Sequence, residues 1–349
     1  MEIVKQIIPH NGSIPEKPIP SASEWLTHMS SVHVTVLMMA CAFVTVTWVL
    51  AFFHLYFVIK YVSNERIRTD LYSLIFMYPL TTFCNLVGMF IPRAAIFLYA
   101  VALVYFMFCL FIMVTLLFNI FGGRSEMSAF LLQKNIKIKL TMPPLCCFKF
   151  IPLIESTDIN LRRIEWLVFQ TPIIRTSLEL TSVVVSMEQE GRRESIWFVF
   201  SQVGGLLSML IAFYGCYVMV PLGREKHAPY RFDFIFRTAD VAQCIYTIQK
   251  FLFDFSAAVG LITSDRLLPA AAKAQWWASF MFSWEMMLLS ALSTYCLRPS
   301  RCKFFDKFPG NEVSNAQPST SVGNSMETIE SASSRSAKPD DVINRFDSI

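Results

Sequence analysis

The sequence predicts an all-α fold: a polytopic membrane protein with seven transmembrane helices, its N-terminus outside and its C-terminus cytoplasmic. Three observations predict it. Of 349 residues, 54% are hydrophobic and only 16% are charged, whereas a soluble domain carries roughly 25% charged residues. Seven segments stay apolar over about the 20 residues that a helix needs to cross a bilayer. The Lys and Arg residues are concentrated in alternate loops, and the richer set is expected on the cytoplasmic side.

Residues 1–31 are expected to form an extracellular N-terminal segment. They contain no long apolar h-region and no small-residue cleavage pattern, so the first apolar segment is expected to target the chain and stay in it. The predicted spans are 32–59, 71–91, 94–121, 164–187, 195–220, 232–262 and 274–297, within a transmembrane domain of 32–297. Lys60, Arg66 and Arg68 follow span one. Arg124, Lys134, Lys137, Lys139, Lys149, Arg162 and Arg163 follow span three. Arg224, Lys226 and Arg231 follow span five, and Arg298, Arg301, Lys303 and Lys307 open the tail. The other side is poorer in basic residues, so an odd number of spans puts the N-terminus outside.

Two signs agree with that orientation. Asn11-Gly12-Ser13 is a glycosylation sequon, usable only on the lumenal side. Of nine cysteines, six lie within spans, and Cys146, Cys147 and Cys302 fall on the cytoplasmic side, where free thiols persist. Cys146 and Cys147 follow Pro143-Pro144 in a basic loop beside the membrane and are candidates for reversible acylation. Residues 298–349 form a cytoplasmic tail, predicted to be largely disordered because its distal part, rich in Ser, Asn and Asp, has too few large apolar groups to offset chain entropy.

Span six carries Asp233, Arg237, Asp240, Lys250 and Asp254. On a helix these share an arc of about 140° with Gln243 and Thr247. Span four places Glu165, Arg175, Glu179, Ser182 and Ser186 within about 120°. Span seven adds Glu285. A charge at the bilayer centre costs roughly 2.5–3.5 kcal/mol on the insertion scale, so these faces must meet each other, span seven or water. Arg175, Glu179, Asp240, Lys250, Asp254 and Glu285 are the candidate substrate-pathway residues. The alternative is that Arg175–Glu179 and Lys250–Asp254 are i,i+4 pairs that merely neutralise one another. Pro79 and Asn85 in span two suggest a kink and an interhelical hydrogen bond, and Gly204, Gly205 and Gly215 in span five suggest close helix approach.

No catalytic function is expected. The five His residues show no metal spacing, and no nucleophile elbow, P-loop or HExxH pattern occurs. No metal or cofactor is therefore expected, and a net charge of +4 spread between apolar runs gives no nucleic-acid patch. A seven-span receptor is disfavoured because Asp/Glu-Arg-Tyr after span three and Asn-Pro-x-x-Tyr in span seven are both missing.

Gly88 with Ile91-Pro92-Arg93 resembles a signature of the organic solute transporter alpha subunit family. So do Phe121-Gly122-Gly123-Arg124, the Cys146-Cys147 stretch, Gln170 before Arg175, and Trp284-Glu285-Met286. The motifs run in order from about residue 88 to 290. The chain is similar to invertebrate members, with a thinner cysteine cluster and Tyr99 where vertebrate members carry Glu. The resemblance implies a multi-pass plasma-membrane protein that pairs with a single-span beta-type subunit and sits among membrane lipids, with a homo-oligomer also allowed. It implies facilitative transport of amphipathic organic anions such as steroid conjugates, bile-acid-like or lipid-derived solutes. A non-transporting membrane organiser that affects lipid or receptor trafficking is the competing expectation.

Overall fold

The computed structural model describes residues 19–141, 153–188 and 196–309. Asn11, Cys146, Cys147 and the distal tail lie outside the described residues. A short helix α1 (Ala22–His28) precedes α2 (Ser31–Tyr61). Then come α3 (Glu65–Ile75), α4 (Met77–Phe90), α5 (Ala95–Phe121), α6 (Arg124–Gln133), α7 (Asp158–Glu188), α8 (Ile196–Met219), α9 (Arg224–His227), α10 (Phe232–Ala258) and α11 (Ala270–Cys296). Two-residue strands β1 (Lys137–Ile138) and β2 (Ile154–Glu155) pair antiparallel between α6 and α7.

Among the described residues, three helical stretches are long and apolar enough to cross a membrane: Ser31–Tyr61, Glu65–Phe90 and Pro92–Phe121. A fourth is reached if Val203–Met219 and Arg224–Tyr230, which meet at an 89° bend, form one span. The chain is thus a helical membrane protein. Helices also cover the charged segments, with α7 at 31 residues and α10 and α11 at 27 each, but these are too polar to qualify on composition. A band of exposed apolar residues, including Met38, Phe52 and Phe53 on α2 and Phe251 and Phe255 on α10, is suited to lipid contact.

The predicted kink in span two is a break between α3 and α4 at Phe76. Pro79 is the third residue of α4. It has no N–H to offer the carbonyl four residues earlier and its ring crowds that position, so it is tolerated only in a first turn. Trp25 seals the end where α4 stops: it is buried and donates from Nε1 to the Met89 carbonyl at 3.1 Å. There a Cβ on Gly88 would stand 3.2 Å from Ala95 Cα, so Gly88 lets the α4–α5 turn close.

At the opposite end, α5 stops on Gly122, which takes a left-handed φ of 96°. Gly123 N–H returns to the Phe118 carbonyl at 2.9 Å, a helix stop that glycine permits without strain. The same turn aims Arg124 at α7. Its Nε reaches Asp158 at 2.9 Å and its Nη1 reaches Glu165 at 2.8 Å. Those two hydrogen bonds, Asp158 first, hold the guanidinium above its usual range.

The tail does not begin in disorder. Residues 297–309 fold back as a strap across this end of the bundle, where Phe304 and Phe305 are buried.

Candidate functional site

The site begins with α7 and α8, which pack along small residues. A Cβ on Gly215 would lie 2.8 Å from Val168 and 3.4 Å from the Ile164 carbonyl. Thr171 Oγ1 donates to the Ser208 carbonyl at 3.0 Å, and Ser182 bonds Ser201 at 2.9 Å. Gly205 then leaves the space into which Arg175 turns. The Arg175 side chain is 5% exposed and its Nη2 meets Glu179 at 3.1 Å, one helical turn on. Its Nε has no hydrogen-bond partner among the described residues.

Lys250 lies on α10, 18 residues after the helix starts; Arg175 lies 17 residues into α7. Both are therefore roughly 26 Å along helices that leave the same end of the bundle. Lys250 pairs with Asp254, whose side chain is much more exposed, at 32% against 9%. The Lys250 ammonium stands 5.5 Å above the Tyr99 ring of α5, a cation–π contact. Tyr99 stacks on Tyr246 with centroids 4.8 Å apart.

A polar seam holds these tyrosines from behind. Tyr246 Oη donates to the Tyr99 carbonyl at 3.3 Å and accepts from Asn85 Nδ2 at 3.4 Å. Asn85 Oδ1 accepts from Ser279 Oγ of α11 at 3.2 Å. This is the interhelical hydrogen bond expected of Asn85. Gln249 Nε2 donates to Glu285 Oε1 at 3.1 Å. The other Glu285 oxygen is buried and has no hydrogen-bond partner among the described residues. Asn85, Tyr99, Tyr246, Gln249, Lys250 and Gln275 line a cavity of about 10 Å³, room for about one water.

Asp240 stands apart from this cluster. It is ten residues, about 15 Å, before Lys250 along α10, where it accepts from the Tyr217 hydroxyl of α8 and from Cys244. Helices α8 and α10 make little backbone contact among the described residues. They meet through side chains, at Tyr217–Asp240 and at Thr247 Oγ1 to Met209 Sδ, 3.7 Å. Asp240, Thr247, Lys250 and Asp254 thus follow one stripe of α10, with Lys250 set against Tyr99 of α5.

The structure thus pairs Arg175 with Glu179 and Lys250 with Asp254, sets Lys250 on the Tyr99 ring, and joins Glu285 to α10 through Gln249. Sequence reasoning missed Gly205 as the seat of Arg175, missed Tyr246, and noted Tyr99 only as a departure from the family pattern. Tyr246 could have been found: it lies three and four residues from Gln243 and Lys250, on the same polar stripe. Tyr99 has no polar stripe around it, because its neighbours on α5 are uniformly apolar, and only its place at the family's Glu position marks it. Among the described residues no group of three or more His, Cys, Asp or Glu could hold a metal.

Comparison with known proteins supplies what the geometry cannot. The family model described as organic solute transporter Ostalpha matches residues 36–302. Organic solute transporter alpha-like protein 1 of Caenorhabditis elegans is 78% identical over 313 residues, covering 90% of this chain and 82% of that protein. Alpha-like protein 3 of the same organism is 32% identical, over 83% of this chain and 84% of that protein. Alpha-like protein 2 is 28% identical, over 86% and 89%. No solved structure matches. With the match spanning most of the described bundle, the chain belongs to the organic solute transporter alpha family, a family of membrane transporter subunits rather than enzymes.

Proposed function

We propose that this chain is the alpha-type subunit of a facilitative transporter for amphipathic organic anions, such as steroid conjugates, bile-acid-like or lipid-derived solutes. In this reading it spans the plasma membrane seven times, with α2, α3–α4, α5, α7, α8, α10 and α11 as the spans and the Arg124 end in the cytoplasm. It works beside a single-span beta-type subunit. Asn11 carries the glycan, and acylation of Cys146 and Cys147 pins the loop between β1 and β2 to the inner leaflet.

The observation that supports this reading is a buried cation close to exposed apolar surface. Leu206 and Leu210 on α8 and Phe251 and Leu252 on α10 are exposed, and Lys250 is buried beside Tyr99 and Tyr246. A greasy ring system suits such a surface while its anionic end meets the cation. Lys250 is engaged by Asp254, so an incoming sulfate or carboxylate must displace that carboxylate. Asp254 sits toward the exposed side of the pair, so it can turn to water and leave Lys250 to the solute. That exchange conserves charge at a buried cation, which would otherwise be costly to leave unpaired. Being an exchange, it runs in either direction down the solute gradient.

The narrow cavity beside Lys250 and the ready-made partners of Arg175 and Lys250 favour a second reading, in which the pairs only lock helices and the chain organises lipids or receptors. Labelled steroid-sulfate flux into proteoliposomes, with and without a co-expressed single-span partner, separates the two. Saturable flux that follows the gradient both ways, and falls in Lys250→Ala at equal protein content, supports the transporter. Absence of flux with correctly inserted protein and every partner tried leaves the organiser.

A further inference from the structure

The strap that follows α11 has a feature that transport does not use. It leaves Cys296, whose carbonyl accepts from Arg231 Nη1 at 2.9 Å, and passes the turn before α10. Lys303 N–H donates to the Pro229 carbonyl at 3.2 Å, and Phe304 packs on Tyr230 at 5.0 Å. It ends on α2. Lys307 N–H donates to the Tyr61 carbonyl at 3.2 Å, Asp306 accepts from Ser63 N–H at 3.0 Å, and Phe308 meets Tyr61 edge-on at 5.2 Å. The strap, continuous with α11, is therefore fixed to the turn before α10 and to the end of α2.

With Cys302, Phe304 and Phe305 turned inward, Arg298, Arg301, Lys303 and Lys307 are left exposed, beside the equally exposed Lys60. Among the described residues none of these five cations is in an ion pair. On the same stretches the carboxylates are Asp306, already bound to Ser63, and Glu65. Tyrosines hold three of the cations in place. Arg298 lies 4.4 Å over Tyr295, Lys303 lies 5.7 Å over Tyr230, and Lys60 lies 5.4 and 5.3 Å over Tyr56 and Tyr61. Just before these charges the helices present bare apolar surface: Phe53, Tyr56 and Ile59 on α2, and Leu288, Leu292 and Tyr295 on α11.

We infer that the strap and the adjoining end of α2 form a docking site for anionic phospholipid headgroups, with the acyl chains lying along the exposed faces of α2 and α11. The inference rests on the membrane orientation proposed above only for its leaflet, which would be the inner one. Tyrosine at the interface with cations just beyond it matches headgroup depth. Anionic lipid attracts each such cation enough to change affinity by about five-fold. A fixed array of five cations should hold a headgroup in place where mobile basic loops would not.

The test is native mass spectrometry of the purified full chain in neutral detergent, offered equal phosphatidylserine and phosphatidylcholine. The chain is expected to retain phosphatidylserine at least ten-fold over phosphatidylcholine. Lys60→Gln with Arg301→Gln, Lys303→Gln and Lys307→Gln should abolish that preference, and Arg at the three lysines should keep it. Cys302 protection from maleimide checks that the strap stays docked. If the quadruple variant exposes Cys302, the single variants Lys303→Gln and Lys307→Gln decide, each expected to lose about five-fold. Equal retention of both lipids by the unaltered chain, or no loss in the Gln variants, overturns the inference. So does full displacement of the lipid by an equal concentration of soluble glycerophosphoserine, which would mark a free-anion site. Binding in detergent depends neither on transport nor on orientation, so a failed flux assay and a failed lipid assay point to different errors.

Discussion

The Arg175 guanidinium occupies the space where Gly205 lacks a side chain: a Cβ there would stand 1.4 Å from Nη1 and 2.6 Å from the guanidinium carbon. The neighbouring glycine is different. A Cβ on Gly204 would meet Leu178 at 3.6 Å, an ordinary contact. Gly205→Ala must therefore move the far end of the Arg175 side chain, whereas Gly204→Ala should be nearly silent. Removing one partner of a buried pair costs on the order of 3 kcal/mol or more, and that is the upper bound if the displaced guanidinium loses Glu179. The expected outcome is a measurable fall in folded yield and flux for Gly205→Ala, with Gly204→Ala close to the unaltered chain in both. Equal behaviour of the two variants in a thermal-stability and uptake series would remove Arg175 from its assigned place.

Lys250 and Asp254 make opposite predictions. Lys250→Ala removes the cation proposed to meet the solute and leaves Asp254 without it, so saturable uptake should fall by more than ten-fold at equal surface protein. Asp254→Asn keeps the shape but weakens the competitor for Lys250, so the apparent affinity for an anionic steroid should rise. A double-mutant cycle on solute affinity measures the coupling directly. Parallel losses in both single variants, with no gain in affinity for Asp254→Asn, would favour the helix-locking reading.

The clamp from Arg124 to α7 supports the site from below without touching it. Its partners are only partly buried, with Asp158 41% and Glu165 24% exposed. Exposed pairs contribute about 0.2–1 kcal/mol each, so Arg124→Ala should cost about 1 kcal/mol of stability. The cost should shrink in high salt, as expected of a half-exposed charge cluster. Urea titration at low and high salt checks this. Solute affinity should be unchanged, since Arg124 lies at the helix end and Lys250 about 27 Å along α10.

Much of this was legible before the fold. Apolar length marked the strongest helices, and the polar stripe on α10 marked Lys250 and Asp254, because period and burial act on local sequence. Asn85 was legible for the same reason: an amide among apolar residues needs a partner, and it finds Ser279 and Tyr246. The tertiary partners were not legible. Nothing in the residues near 205 says which side chain fills the missing Cβ, and nothing near Tyr99 says that a lysine 151 residues later will sit on its ring. The strap was hidden differently. Arg298, Arg301, Lys303 and Lys307 gave it the composition of a solvated tail, while Phe304, Phe305 and Phe308, the residues that bind it down, are too few and too close to the polar segment to stand out.

Cys302 reports on that strap. Burial pushes its thiol up to about 11 from an ordinary value of 9, and its Sγ lies 3.2 Å from the Tyr230 carbonyl. The thiolate is the reactive form, so the docked thiol should be alkylated slowly at pH 7.5 and quickly once the strap is released. Phe305→Ala removes a buried anchor and should speed alkylation of Cys302 at least ten-fold, measured by peptide mass spectrometry against the other cysteines. The pH dependence has a fixed sign. A released Cys302 loses its proton near pH 9 and a docked one near 11, so above pH 9 the released strap holds fewer protons and gains population as pH rises. Docking should be undiminished below pH 9 and weaken between 9 and 11. Alkylation rising with pH only in step with the intrinsic thiolate fraction, identically in Phe305→Ala and the unaltered chain, would mean that the strap does not hold Cys302.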